Sequence, residues 1–93
     1  MDTKIAFGLA LKRIRKAKGL TQEDFGDVSS RTYLSTLERG MKSITLEKLN
    51  NLAEVLGVHP MSLLLLTYVS CENGLSIEGL INLIEIEIKS LRN

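Results

Sequence analysis

Residues that build catalytic, metal and disulfide centres are scarce in this chain. Its 93 residues include one cysteine, one histidine, one proline and no tryptophan. The lone Cys71 excludes an internal disulfide and supplies no cluster of metal ligands, which indicates a structural role in a reducing compartment. The lone His59 has no partner at catalytic or metal spacing, and a glycine-rich phosphate loop is absent. The sequence therefore predicts no enzyme, no metal site and no cofactor.

Long apolar segments are absent as well. The N-terminus lacks the apolar run of a signal peptide, and the longest apolar stretch, residues 63–66, is far too short to cross a bilayer. With 44% hydrophobic and 25% charged residues, the composition is that of one small globular domain. We expect a cytoplasmic protein without a membrane partner or a small-molecule substrate.

The charge is small overall but unevenly distributed. The formal net charge is +1, yet residues 1–42 hold nine Lys/Arg against five Asp/Glu, whereas residues 43–93 hold three against six. This separation fits a polyanionic partner that one face of the molecule would meet.

Two short helices around a tight turn are predicted between residues 20 and 40. Thr21 is a good N-cap and is followed by polar and acidic residues, so a helix is expected to begin at Gln22. The Ser29-Ser30 pair ends that helix and offers the next N-cap, and Gly40 can end the second helix in the left-handed conformation.

The second helix of this pair has an almost entirely polar outer face. Leu34 and Leu37 turn inward, and the outward positions carry guanidinium and hydroxyl groups. These positions are Arg31, Thr32, Ser35, Thr36 and Arg39. Such a face suits the major groove of double-stranded DNA.

Hydrophobic spacing elsewhere predicts an all-α chain. Residues 4–18 form an amphipathic first helix that ends at Gly19, and Thr45 caps a later helix that Gly57 stops. Pro60 opens a fifth helix, because proline is tolerated at the first helical position.

The C-terminal part differs in character. A connection over residues 68–74 closes on Asn73-Gly74, and Ser76 can cap a final helix. Apolar residues recur along that helix at steps of four and three, and this seam consists of Ile77, Ile81, Ile84, Ile88 and Leu91. One small domain can hardly bury the seam, so we expect two copies to pack their seams together. A helix folded back over the bundle is an alternative, as is a strand at residues 84–89, where apolar residues alternate with period two.

Four short motifs lie at a characteristic spacing along residues 7–66. They are Arg15 with residues 19–22, then residues 33–35, residues 38–40 and residues 52–60. Together they resemble the lambda-repressor-like helix-turn-helix family, the Cro and Xre type of bacterial and phage transcriptional regulators. The resemblance implies a compact five-helix DNA-binding bundle over residues 1–67, with a connection and C-terminal dimerisation helix in residues 68–93.

The same resemblance implies roles for individual residues. Contacts with the bases are assigned to Arg31, Thr32 and Thr36, and the neighbouring Ser35 is expected to contribute to them. The Arg31 fork can donate twice to guanine O6 and N7, worth about 1–3 kcal/mol of discrimination, whereas the threonines tune preference. Contacts with the DNA backbone are assigned to Gln22, Ser30, Tyr33, Arg39, Lys42 and Ser43, of which Tyr33 can equally pack its ring on the bundle. Arg15 and Glu38 correspond to an internal ion pair that braces the recognition helix.

The expected function is sequence-specific regulation of transcription by a homodimeric repressor on a palindromic operator. A dimer that covers a promoter blocks polymerase without further machinery. The alternative is a protein-interaction module, such as an antitoxin, whose C-terminal helix docks a partner protein.

Overall fold

The chain is all-α, as its hydrophobic spacing predicts. The computed structural model describes residues 1–71 and 75–91, and in that part it contains five α-helices, one 3₁₀ helix and no strand. The α-helices are α1 (Thr3–Ala17), α2 (Arg31–Glu38), α3 (Leu46–Leu56), α4 (Pro60–Cys71) and α5 (Ile77–Ser90). The 3₁₀ helix is Gln22–Phe25. The predicted Asn73-Gly74 turn lies outside the described residues.

Side-chain caps fix where these helices begin. Asp2, Ser30, Thr45 and Ser76 each accept a hydrogen bond from a backbone N–H in the first turn of α1, α2, α3 and α5 respectively. At the start of α4, His59 Nδ1 accepts from the Met61 N–H at 3.0 Å. The only histidine is thus a helix cap.

The second predicted helix is a single 3₁₀ turn rather than an α-helix. The Asp24 carboxylate accepts from the Thr21 N–H at 2.7 Å and closes the turn at its start, and Phe25 is fully buried at its end. Gly26 follows at once, and glycine costs about 1 kcal/mol relative to alanine inside a helix. The N–H groups of Val28 and Ser29 both donate to the Phe25 carbonyl, so the chain turns towards α2 instead of continuing the helix.

Helix α4 is longer than the sequence predicted. It continues through Cys71, so residues 68–71 belong to the helix and not to the connection. The Thr67 hydroxyl donates to the Leu63 carbonyl at 2.7 Å and the Ser70 hydroxyl to the Leu66 carbonyl at 3.0 Å. Both hydroxyls are therefore satisfied within the helix, which continues past the expected boundary.

In the described residues, no helix by itself is both long enough and apolar enough to cross a membrane. Helices α3 and α4 pass a test of length and apolar composition only when taken together, and they bend by 106° at the break between them. Both contribute side chains to the hydrophobic core.

One hydrophobic core holds α1 to α4 and the 3₁₀ helix together. Its buried members are Phe7, Leu11, Phe25, Leu34, Leu37, Leu49, Leu52, Ala53, Leu56 and Leu63. Helix α2 contributes Leu34 and Leu37 to the buried members, and Tyr33 packs against them from the same helix.

In the described part of the chain, the main contacts of helix α5 with the bundle are with α4. Leu80 is buried, and Ile84 is half-buried. The rest of the seam stays exposed, with Ile88 at 58% and Leu91 at 79%. Residues 84–89 are helical, so the strand alternative is wrong, and α5 folds back only at Leu80 and Ile84.

The close approach of α1 to α2 requires glycine at position 8. A Cβ placed there would lie 2.5 Å from the Leu37 carbonyl oxygen and 2.6 Å from that of Glu38. Both obstacles are backbone atoms, so they cannot rotate away. We expect Gly8→Ala to lower the free energy of unfolding by about 1–3 kcal/mol, as for other overpacked sites, measured by urea denaturation.

A matched control is Gly79→Ala in α5. There the nearest atoms are Ser76 Oγ and Leu75 Cδ1, at 3.3 and 3.4 Å, and both belong to side chains rather than to the backbone. We expect this variant to be as stable as the parent or slightly more stable, because alanine favours the helix. Equal losses at both positions would contradict the tight contact at Gly8.

Candidate nucleic-acid interface

Helix α2 presents the polar face that the sequence predicts. Arg31, Thr32 and Arg39 are exposed, and Ser35 and Thr36 are half-buried. A polar groove alongside the helix is lined by Gln22, Arg31, Thr32, Ser35 and Arg39. The structure therefore brings most of the predicted DNA-contacting residues of the helix pair to one surface.

The hydroxyl of Thr36 is already partly occupied. It donates to the Thr32 carbonyl at 2.8 Å, one turn earlier in α2. Its remaining capacity is that of a hydrogen-bond acceptor and of a methyl group. A cytosine or adenine amino group, or a thymine methyl group, is the base feature that such a side chain can contact.

A buried ion pair holds α2 against α1. Arg15 Nε donates to Glu38 Oε2 at 2.6 Å and Arg15 Nη2 to Glu38 Oε1 at 2.9 Å, and both residues are more than nine-tenths buried. Arg15 Nη1 donates further to the Leu20 carbonyl at 2.9 Å. Two parallel hydrogen bonds between a guanidinium and a carboxylate fix both distance and orientation.

The hydrogen bonds that Arg15 donates to the Glu38 carboxylate raise the pKa of Arg15 above its ordinary value, against the opposing effect of burial. Because the pKa of Arg15 is higher in the folded protein than in a free arginine, the ion pair stabilises the fold fully at any pH below the pKa of a free arginine. This contribution to folding is lost only as the pH rises through the raised pKa of Arg15. The Arg15 guanidinium therefore stays charged at neutral pH.

Gln22 joins this pair to the 3₁₀ helix. Its Nε2 donates to Glu38 Oε1 at 3.2 Å. The amide keeps a second N–H and its oxygen, and the residue stands at the start of a helical turn, where backbone N–H groups attract anions. Gln22 is thus both a structural contact and a candidate phosphate ligand.

Tyr33 lies between the core and two lysines. Its ring packs against the hydrophobic core, while Lys42 Nζ and Lys48 Nζ lie 5.7 and 5.4 Å from the ring centroid. Lys48 Nζ also donates to the Val28 carbonyl at 2.5 Å. The tyrosine therefore packs on the bundle and also lies beside a cationic cluster.

Sequence reasoning missed Lys48. Helix N-termini disfavour cations, and Lys48 lies in the first turn of α3, after its N-cap Thr45. A lysine in this unfavourable position was the available signal for a contact outside the helix.

Ser30 serves as the N-cap of α2, and Lys42 and Ser43 are exposed in the loop that follows α2.

Arg31 has a partner that the sequence did not indicate. Its Nη1 lies 3.4 Å from Glu23 Oε1 in the 3₁₀ helix, and both side chains are largely exposed, at 72% and 76%.

Across residues 1–71 and 75–91, no group of three or more His, Cys, Asp or Glu side chains is placed to hold a metal ion.

Comparisons with known proteins agree on one family. The family model described as Helix-turn-helix (HTH_3) matches residues 11–63. The uncharacterized HTH-type transcriptional regulator y4dJ of Sinorhizobium fredii is 43% identical over 65 residues, 68% of this chain and 84% of that protein. The control protein C.BamHI of Bacillus amyloliquefaciens is 34% identical over 75 residues, 76% and 93% of the two chains. In structure, the clp gene regulator ClgR of Corynebacterium glutamicum matches with a TM-score of 0.72 at 31% identity, covering 78% of this chain and 97% of that one.

The ion pair is tested by Glu38→Gln, which keeps the shape of the side chain and removes its charge. The Arg15 guanidinium is then buried without a counter-charge, so we expect the free energy of unfolding to fall by about 3 kcal/mol, measured by urea denaturation. DNA affinity should fall with it, because α2 loses its brace.

The double variant Arg15→Met/Glu38→Leu separates charge from packing. Replacing a buried pair by apolar residues of similar volume is often neutral, so we expect it to regain most of the loss. A single variant as stable as the parent would contradict the structural importance of this pair.

Proposed function

The chain belongs to the helix-turn-helix family of transcriptional regulators, and we propose that it is a homodimeric repressor that reads a palindromic operator through α2. The observation that carries this proposal is the face of α2, which is polar and cationic, and is held outward by the buried Arg15–Glu38 pair. The family is one of regulators rather than enzymes. A protein that binds bacterial DNA acts in the cytoplasm, where that DNA is.

Base reading is assigned to the exposed start of α2 and its next turn. Arg31 is the first residue of the helix and is exposed, so its fork can reach a guanine in the major groove. Thr32, Ser35 and Thr36 supply hydroxyl and methyl groups at neighbouring positions. Their contacts discriminate less sharply, because the hydroxyls of Thr32 and Ser35 can donate to one base and accept from another. The Thr36 hydroxyl, which donates to the Thr32 carbonyl, can accept only.

Backbone contacts are assigned to residues around this helix. Gln22 and Arg39 line the same groove as Arg31, and Ser30 lies in a second groove with Tyr33 and Lys48. Lys42 and Ser43 extend the surface along the following loop. These groups reach phosphates rather than base edges, so they position the protein without reading sequence.

Dimerisation is assigned to α5. In one copy, the seam residues Ile77, Ile81, Ile88 and Leu91 are all at least 42% exposed. A second copy of the same helix would cover them symmetrically. Two recognition helices in successive major grooves then place the half-sites about 34–36 Å apart. A dimer bound over a promoter represses by excluding polymerase.

The exposed seam also supports a second candidate function, a module that docks another protein. A protein that stays monomeric and binds no DNA without an added partner would favour this candidate. A stable homodimer that retards DNA favours the repressor. Selection of bound fragments from random DNA tests both, since it reports binding, symmetry and half-site spacing together.

Arg31→Ala and Lys42→Ala test base reading against backbone contact. Arg31→Ala should lose about 1–3 kcal/mol of discrimination at one base pair in each half-site. Lys42→Ala should weaken binding to all sequences alike and reduce the slope of log affinity against log salt by about one unit per lost phosphate contact. Titrations of selected and single-substituted operators at several salt concentrations measure both effects.

Either result can contradict its assignment. Unchanged sequence preference in Arg31→Ala removes that residue from base reading. An unchanged salt slope in Lys42→Ala makes it a solvated lysine.

Ile88→Glu tests the α5 interface. The side chain is 58% exposed in a single copy, so the monomer should fold normally. Burying a carboxylate in the seam of a dimer is costly, and we expect the dissociation constant to rise about 100-fold, equivalent to about 2.7 kcal/mol. Sedimentation equilibrium measures it.

Asn82→Glu is the matched control, since it adds the same charge to an exposed position of α5 outside the seam. This variant should remain dimeric. If both variants dimerise as the parent does, the interface lies elsewhere.

A further inference from the structure

The contact between Glu23 and Arg31 places a carboxylate beside the side chain assigned to guanine. We propose that Glu23 is a specificity-determining positioning residue that acts through Arg31, an inference that rests on the proposed reading of DNA by α2. The pair joins the 3₁₀ helix to the first residue of α2, with 3.4 Å between Glu23 Oε1 and Arg31 Nη1.

The backbone that carries Glu23 is fixed on both sides. Before it, Gln22 is hydrogen-bonded to the buried Glu38. After it, Asp24 is hydrogen-bonded to Thr21, and Phe25 is fully buried. The Glu23 carboxylate is therefore presented to α2 from a rigid turn, even though its own side chain is exposed.

The pair contributes little to folding. Both side chains are mostly in water, where ion pairs of this kind add little to stability. A carboxylate in the first turn favours the start of the 3₁₀ helix, but this does not explain why it contacts Arg31 on a surface that meets phosphates. Its effect is to be sought in the state that binds DNA.

The guanidinium has enough donors for two partners at once. Contact with Glu23 engages Nη1, which leaves the edge formed by Nε and Nη2 for the O6 and N7 acceptors of a guanine. Arg15 in the same protein has this division, because its Nε and Nη2 hold one carboxylate while Nη1 binds a separate carbonyl. Glu23 would thus orient the Arg31 fork without blocking its base-reading edge.

The same carboxylate penalises incorrect sequences. Opposite a base other than guanine, Arg31 has no bidentate partner, and its attraction to phosphates is reduced by the nearby negative charge. Glu23 therefore lowers affinity for DNA in general but lowers it most where guanine is missing. The ratio of operator to random binding rises as a result.

Glu23→Gln tests this role, because it keeps the side-chain length and removes the charge. We expect affinity for random duplex DNA to rise about threefold to tenfold, with a smaller change for the selected operator. Discrimination at the guanine read by Arg31 should fall by a similar factor. Titrations at fixed salt measure affinities for the operator, for its single-base variants and for random DNA.

Glu54→Gln is the matched control, since Glu54 is an exposed acidic residue of α3 with no ion pair in the described part of the chain. It changes the net charge by the same amount. A change in the specificity ratio that is equal in both variants would overturn the proposal, because long-range charge alone would then explain it.

The Arg31→Ala background supplies the second readout. There, Glu23→Gln should no longer alter discrimination, because the residue acts through the guanidinium. A persistent change would also overturn the proposal. Failure of the wild-type protein to distinguish any operator from random DNA would overturn the proposed function itself. Discrimination that survives Glu23→Gln intact would overturn only the role of Glu23.

Discussion

The orientation of α2 and of its polar face depends on a buried hydrogen-bonded ion pair. Arg15 of α1 and Glu38 of α2 meet through two short hydrogen bonds, and Gln22 ties the 3₁₀ helix to the same carboxylate. Helix α2 has only eight residues and gives two leucines to the core, so apolar packing alone fixes its direction poorly. Directional bonds from a rigid fork supply the missing constraint. Gly8 allows the helices to approach closely enough for this network to form.

Most polar groups on the surface around α2 already make a structural contact within the protein. Ser30 caps the helix, Thr36 bonds to its own backbone, and Gln22 belongs to the buried network. Arg31 alone among the candidate base readers has a charged partner in the described residues. Side chains held by such contacts lose less conformational freedom on binding than free ones. The same arrangement limits which atoms remain available for bases and phosphates.

The C-terminal helix shows how small size limits a domain. The core is completed by α1 to α4 and the 3₁₀ helix, and α5 adds one buried side chain, Leu80. Ile84 is half-buried beside α4, and the other isoleucines of α5 and Leu83 are exposed in a single copy. Exposed apolar surface of this kind typically marks an interaction site, and this surface lies on a different helix from the polar face of α2.

The sequence by itself determined where the α-helices lie, the caps Ser30, Thr45 and Ser76, and the outward residues of α2, because hydrophobic period and cap chemistry are local properties. It also placed Arg15 and Glu38 as partners, although only through resemblance to a family. Tertiary structure decided the 3₁₀ turn at Gln22–Phe25 and the extension of α4 through Cys71, since these depend on which backbone groups find partners. It also decided the contacts of Lys48 and Glu23. Those residues lie 20 and 8 positions from their partners, and only the folded chain brings such groups together.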